Sequence, residues 1–535
     1  MALRNFAGVM QKVMGLNRMK YPIGVQDFEK LREDGYAYID KTRQIYDVVT
    51  RGNCYFLGRP RRFGKSLLLS TLEAYFLGKK ELFEGLAIEN IEKEWTEYPV
   101  LRLDLNSGKY DCDEALNDEL HRHLEKWEAE YGDSYEGRKP SERFLQVIEL
   151  AYRKTGKKVV VLVDEYDKPL ISTFDNPELQ ERYRRELKAF YSVLKTQDRY
   201  IRFAFLTGVT KFGKVSVFSD LNNLNDISMG RRYADICGIT ERELHENFES
   251  SIKELAENAE STYEDISLKL KERYDGYHFC PDTAGVYNPF SLLNALDKRE
   301  LGDYWFETGT PTFLVQLLQS CNYDLNRLQG GEIMAEDINN VDSVERNPVP
   351  MLYQSGYLTI KGYDKEFGTY ILDFPNKEVE NGFIKFILPY YVNDGTGNSK
   401  FTVTQFVRDV RRGDPEGFMT RLQTFLENGD YRVAGKKEIY FQNVLFVIFK
   451  MMGIYTKVET VTARGRADIV IETQEYVYVI ECKLDGSADE ALRQIEEKGY
   501  AKPYALDRRK LFEIGVNFSS EIRGVKEWRV KARPV

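Results

Sequence analysis

Histidine is scarce in this chain, with four among 535 residues. His121 and His123 stand two apart in a helical pattern and so turn to different faces, and His245 and His278 have no partner by spacing. None of the four reads as a metal ligand or a general base. The six cysteines (Cys54, Cys112, Cys237, Cys280, Cys321, Cys482) are scattered without paired spacing, which excludes a zinc knuckle and a disulfide frame and suits a reducing cytoplasm. No apolar run approaches the roughly 18–20 residues of a membrane span, so no membrane association is expected. The first 18 residues hold Arg4, Lys12 and Arg18 but no apolar secretion core, and 1–19 reads as an N-terminal extension before an alternative start at Met19. A general basic excess is also missing. The net charge of −9 excludes an overall nucleic-acid-binding coat and confines any such contact to local patches.

What is present is ordinary for a soluble globular chain of two to four domains, with 42% hydrophobic and 30% charged residues. Aromatics at 13% fit well-packed cores. From Val433 onward 18 Lys and Arg face 15 Asp and Glu, so this end is mildly basic, most of all at Arg523, Lys526, Arg529, Lys531 and Arg533.

Near this end, Asp468 lies in an apolar strand, and Glu481 and Lys483 close the next one. Residues two apart in a strand share a face, so Glu481 and Lys483 project together. An aspartate and a glutamate on neighbouring strands can share a hard cation, Mg²⁺ or Mn²⁺, through oxygen ligands, and the lysine can stabilise hydroxide or phosphate charge. That is the equipment of a metal-dependent phosphodiesterase.

Near the start, an apolar strand at 53–57 runs into Gly58-Arg-Pro-Arg-Arg-Phe-Gly-Lys-Ser66, followed by a helical pattern from Leu67. A glycine loop between strand and helix offers backbone N–H groups to phosphates. Lys65 would reach the outer phosphates of ATP, and Ser66 would hold Mg²⁺. The standard spacing puts the first glycine where Arg59 stands, with Gly58 one residue early. A second apolar strand, 159–163, ends in Asp164-Glu165-Tyr-Asp167, with Asp164 placed for Mg²⁺ and Glu165 for activating water. A third, 201–206, ends at Thr207-Gly-Val-Thr210, and both threonines are candidate γ-phosphate sensors. Arg231 and Arg232 are candidates for a charge-stabilising finger or for a surface turn.

The runs Tyr21-Pro-Ile-Gly-Val-Gln-Asp-Phe-Glu-Lys-Leu-Arg32, Tyr38-Ile-Asp-Lys-Thr42 and Phe56 to Leu68 resemble the bacterial AAA-ATPase-like family. So do Asp164-Glu-Tyr-Asp-Lys-Pro169, Leu206-Thr-Gly-Val-Thr-Lys211 and Tyr274-Asp-Gly-Tyr277. The resemblance covers nearly the whole chain after Met19. It implies a P-loop ATPase followed by a PD-(D/E)xK nuclease domain, with Arg61, Arg62 and Gly64 part of the family's own phosphate loop. The C-terminal pattern of helix, three strands, helix and strand is similar to that nuclease fold. On that likeness Glu438 matches an auxiliary metal ligand, and Gln494 and Tyr500 match a motif that orients the site or the nucleic-acid backbone.

The expected architecture is α/β and multidomain: an ATPase core at 20–239, a helical lid at 240–326, a winged-helix-like region at 327–400, a helical connector at 401–432 and a restriction-endonuclease-like domain at 433–535. Asp364, Glu366 and Asp373 in the presumed wing would repel phosphates, so that region is expected to pack on the core rather than bind DNA. The leading functional expectation is an ATP-regulated nuclease acting on nucleic acid, DNA first, in a homo-oligomer. The rival is an ATP-switched binding protein with a non-cleaving nuclease fold; intact Glu165 and Lys483 speak against it, since binding alone needs neither. A DNA-translocating motor ranks last, because no helicase motif series is visible.

Overall fold

The computed structural model describes residues 19–132, 137–211, 217–218, 221, 223–306, 313–341, 347–391, 399–428, 438–453, 457–460, 469–519, 521–522 and 524–533. The chain forms two compact units, one of residues 1–308 and 332–378, the other of 309–331 and 379–535. The chain thus passes between units after Thr308, Gly331 and Glu378. The boundaries expected from sequence near 326 and 400 fall inside units instead, because helices that look like connectors pack into cores.

The first unit is built on five parallel strands, β1 (Cys54–Gly58), β2 (Val100–Asp104), β3 (Val159–Asp164), β4 (Ile201–Gly208) and β5 (Asn225–Asp226), in the order β2-β3-β4-β1-β5. β3 is buried throughout and β4 nearly so, as expected of strands covered on both faces. Helices Lys65–Phe76, Ala115–Tyr131, Pro140–Thr155 and Pro177–Thr196 make the crossovers. This topology brings the C-terminal ends of β1, β3 and β4 side by side, where open parallel sheets bind ligands. β2 escapes sequence patterning: Arg102 and Asp104 alternate with buried Leu101 and Leu103, as suits an edge strand.

The helices Glu241–Asn258, Tyr263–Tyr274 and Pro289–Lys298 share a core of Leu244, Phe248, Ile252, Leu270 and Leu292. Each starts on a capping side chain, Thr240, Thr262 and Asn288 respectively. The short strands β6 (Ile239–Thr240) and β7 (Val286–Tyr287) pair antiparallel beside them. Helix Val349–Gln354 precedes the antiparallel hairpin of β9 (Thr359–Asp364) and β10 (Thr369–Asp373), and β8 (Gly331–Met334) adds a third strand beside β10. This region is tied to the ATPase sheet. Gln354 accepts the Lys211 N–H at 2.6 Å and donates to the Ile338 carbonyl at 3.1 Å.

The second unit holds a mixed sheet in the order β11 (Lys457–Thr460), β12 (Ile469–Glu472), β13 (Tyr476–Leu484), β14 (Lys510–Ser519), β15 (Gly524–Arg533). All neighbours are antiparallel except β13 and β14. Their parallel connection is helix Ala488–Lys498, which buries Ile495 against Val477, Val479 and Leu511. At Gly515 the helix backbone comes so near that a Cβ would stand 2.2 Å from the Ala488 carbonyl oxygen. Helices Ser399–Arg412 and Pro415–Asn428, expected as a connector, bond to the sheet: the Tyr478 hydroxyl donates to the Val410 carbonyl at 2.7 Å, and Gln423 to that of Val525 at 3.0 Å.

Candidate active sites

At the end of β1 the chain turns through Arg62 and Gly64, both in the left-handed region (φ 69° and 89°), and enters helix Lys65–Phe76. Glycine suits that conformation and arginine tolerates it poorly, so the loop holds local strain where ligands approach. Lys65 is buried and donates to the carbonyls of Arg59 (3.0 Å) and Pro60 (3.1 Å), and its ammonium lies 3.1 Å from Glu165 Oε1. Glu165 is also left-handed, with φ 52°. Behind it, Asp164 is buried and hydrogen-bonded to Ser66, and accepts the Thr207 hydroxyl at 2.8 Å. Burial raises the Asp164 carboxyl above the usual aspartate range. Ser66 and Asp164 supply hard oxygen donors side by side, and a buried carboxylate of this kind suits Mg²⁺.

A pocket of about 330 Å³ opens in front of these groups. Arg61, Arg62, Gly64, Lys65, Ser66 and Glu165 line it together with Lys168, whereas Asp164 and Thr207 do not reach its lining. Pro22 to Gln26, Pro289, Phe290 and Leu293 form apolar wall. An adjoining apolar slot of about 100 Å³ between Tyr38, Phe63 and Cys237 shares Pro22, Gly64, Leu67 and Leu293 with it.

Other candidates stand elsewhere. Gly58 lies under the loop and donates its N–H to Ser228 Oγ at 2.7 Å. Thr210 does not line the pocket: its hydroxyl and N–H are both committed to Asp167 Oδ2, at 2.6 and 2.5 Å. That buried aspartate, pushed up to about 6 first by burial and then by Glu165, holds the end of β4 against the Glu165 turn. Arg231 and Arg232 sit on an exposed turn away from the pocket, with Arg231 facing Asp282. Arg59, where a glycine was expected, is wholly buried. Its guanidinium donates to the carbonyls of Gly58, Ser228 and Tyr233 and stacks 3.9 Å from the Phe279 ring centroid. It braces the loop from behind and leaves the phosphate side to backbone and Lys65.

In the second unit, β13 carries Glu481, buried, and Lys483, partly exposed, 3.7 Å apart. Helix Ala488–Lys498 lies across that face and inserts Gln494 between them. The Gln494 amide donates to Glu481 Oε1 and accepts from the Lys483 ammonium, with the Tyr500 hydroxyl 3.5 Å from its nitrogen. Glu481, Lys483, Gln494 and Tyr500 thus form one polar cluster. Asp468 lies outside the described residues. Glu438 begins helix Glu438–Gly453, but its side chain is likewise outside them. Among the described residues no three His, Cys, Asp or Glu side chains converge as a metal cage. Glu481 offers a buried hard oxygen donor of the type Mg²⁺ or Mn²⁺ takes.

Sequence reading missed Asp167 and Lys168 as site residues. Both stand in the Asp164 to Pro169 run, but only the fold shows one turned into the core and the other to the pocket.

Comparison with known proteins agrees with this two-part layout. The family described as "Predicted AAA-ATPase" matches residues 22–218, and the PD-(D/E)XK nuclease superfamily matches residues 436–528. A protein of Azotobacter chroococcum mcd 1, described as "Uncharacterized protein in vnfD 5'region", is 36% identical over 524 residues, spanning 95% of this chain and 98% of that one. The Aeropyrum pernix ORC2 protein, solved in ADPNP-ADP complexes, aligns over 67% of this chain and 92% of its own with 11% identity and a TM-score of 0.25, too low to bear on the fold. The chain belongs to the AAA-ATPase-like family, with a C-terminal domain of the PD-(D/E)XK nuclease superfamily.

Proposed function

We propose that the protein binds and hydrolyses ATP, and that its nucleotide state controls a metal-dependent nuclease acting on DNA. The observation that carries this reading is the presence in one chain of two polar clusters, Lys65-Ser66-Asp164-Glu165 and Glu481-Lys483-Gln494-Tyr500.

In the first, Lys65 neutralises phosphate charge and Glu165 takes a proton from the attacking water. The new O–P bond forms at the γ-phosphorus, the bond to the bridging oxygen breaks, and ADP leaves with the electron pair. The apolar slot beside the loop suits a nucleobase. In the second cluster, Lys483 stabilises charge on the attacking oxygen or the phosphate, while Gln494 fixes Glu481 and Lys483 relative to each other. Mg²⁺ held by Ser66 and Asp164, and Mg²⁺ or Mn²⁺ held by Glu481 with Asp468 and Glu438, would supply Lewis-acid polarisation of phosphate oxygens. Six free thiols fit a cytoplasmic setting, and no helix among the described residues is long and apolar enough to cross a membrane. A homo-oligomer is the expected assembly. Gln354 bonded to Lys211 supports a packing role for the winged-helix-like region.

The test is cleavage of plasmid, linear and single-stranded DNA by the whole protein without nucleotide, with ADP and with ATP, in Mg²⁺ and in Mn²⁺. Nucleotide-dependent cutting, lost in Glu481→Ala and altered in Lys65→Ala, is the expected result. Equal cutting under all three nucleotide conditions would sink the coupling. Absence of cutting with either metal would promote a binding role.

A further inference from the structure

Among the described residues, two cations at the nucleotide pocket make no salt bridge. Lys168 opens helix Lys168–Ser172, directly after the Glu165 turn, and Arg61 stands in the phosphate loop; both line the pocket with Lys65 and Glu165. The cations around them are committed. Lys65 pairs with Glu165, Arg59 is capped by carbonyls, and the Arg62 guanidinium lies over the Phe290 ring at 4.9 Å. Among the described residues, neither the Lys168 ammonium nor the Arg61 guanidinium makes a hydrogen bond or a salt bridge, although the Glu165 and Asp167 carboxylates act on the Lys168 charge from a longer distance.

They nevertheless feel each other. Burial first, and Arg61 next, lower the affinity of Lys168 for its proton. The Glu165 and Asp167 carboxylates offset part of the repulsion between these two like charges, and an anion bound between them relieves the rest. Lys65 alone cannot neutralise a triphosphate. The Lys168 N–H bonds the Glu165 carbonyl at 3.0 Å, so Lys168 stands on the side where the base holds water. The phosphorus that water attacks is the terminal one.

We propose that Arg61 and Lys168 clamp the γ-phosphate of bound ATP and stabilise the charge that builds on its oxygens as the bond to the bridging oxygen breaks. The clamp rests on the ATPase reading above and deepens it. It supplies within this chain the charge that Arg231 and Arg232, on their exposed turn, do not bring to the pocket.

The experiment measures binding of ribose-labelled fluorescent ATP and ADP, and ATP turnover, for full-length wild type, Lys168→Met, Arg61→Met, Lys168→Arg and the double variant Arg231→Ala/Arg232→Ala. A γ-phosphate contact predicts ATP affinity weakened by about tenfold in each Met variant, with ADP affinity unchanged. It also predicts turnover lowered by about a hundredfold, partly recovered in Lys168→Arg. The double variant should match wild type. Thermal unfolding of each variant accompanies the assay. If Lys168→Met is unfolded, Arg61→Met, altered in a loop, decides alone. Equal losses for ATP and ADP in folded variants would place the cations on inner phosphates and overturn the clamp, as would undiminished turnover. Wild type that binds neither nucleotide would remove the ATPase reading itself, a result distinct from failure of the clamp.

Discussion

The Lys65 ammonium and the Glu165 carboxylate lie 3.1 Å apart, so the residue that should grip phosphate is held by the residue that should activate water. On the proposed ATPase reading, ATP competes for that lysine and its arrival releases the glutamate. Replacing Glu165 by Gln removes the competing charge and the base together. ATP affinity of Glu165→Gln should equal or exceed wild type, while turnover falls by about a hundredfold or more. Titration with labelled ATP and a phosphate-release assay check both. Normal hydrolysis by this variant would show that Glu165 is not the base.

Gln494 bridges Glu481 and Lys483, donating to the one and accepting from the other. Gln494→Ala should leave the protein folded but lower Mn²⁺-dependent cleavage by about ten- to a hundredfold, the usual effect of losing a group that orients a site. Cleavage at the wild-type rate would make the bridge dispensable.

Gly515 lets the helix carrying Gln494 sit directly on β14. A methyl group there would meet the Ala488 carbonyl oxygen at 2.2 Å and the Leu492 nitrogen at 2.8 Å, both backbone atoms that cannot rotate away. Gly515→Ala should cost about 1–3 kcal/mol of stability or more, read as a lowered denaturation midpoint. It should also reduce cleavage, because Gln494 moves with its helix.

Glu378 is fully buried, and burial raises its carboxyl to about 7 although it accepts bonds from Ser291 Oγ (3.0 Å) and the Trp305 N–H (2.8 Å). An unfolded glutamate titrates near 4.5. The folded protein therefore holds the extra proton between about pH 4.5 and 7, and stability falls as pH rises through that window. Glu378→Gln keeps an acceptor oxygen and abolishes the ionisation. Its melting temperature should change less than that of wild type from pH 5 to 8, with a gain on the order of 3 kcal/mol at the alkaline end. Parallel pH profiles for the two proteins would rule Glu378 out as the source.

Much of this was legible in the chain itself. The strands at 159–164 and 201–208 announce themselves as apolar runs because parallel strands are covered on both faces, and Glu481-x-Lys483 shares a face because strands repeat every two residues. β2 was not legible, since an edge strand with Arg102 and Asp104 has no such run. Nor was the role of Arg59, which stands where the standard spacing puts a glycine and whose guanidinium is capped by carbonyls of Ser228 and Tyr233.

The sequence by itself determined the contiguous pieces: the phosphate loop, the acidic turn after β3, the strand bearing Glu481 and Lys483, and the helices that follow them. Their chemistry depends on neighbours within a few residues, which local pattern encodes. Only the tertiary structure decided which distant groups meet. It gave Thr210 to Asp167 rather than to the pocket, put Lys168 beside Arg61, and set Gln494 between Glu481 and Lys483. Those pairings follow from strand order and from how closely each helix docks on its sheet, and both are set by packing across the whole unit.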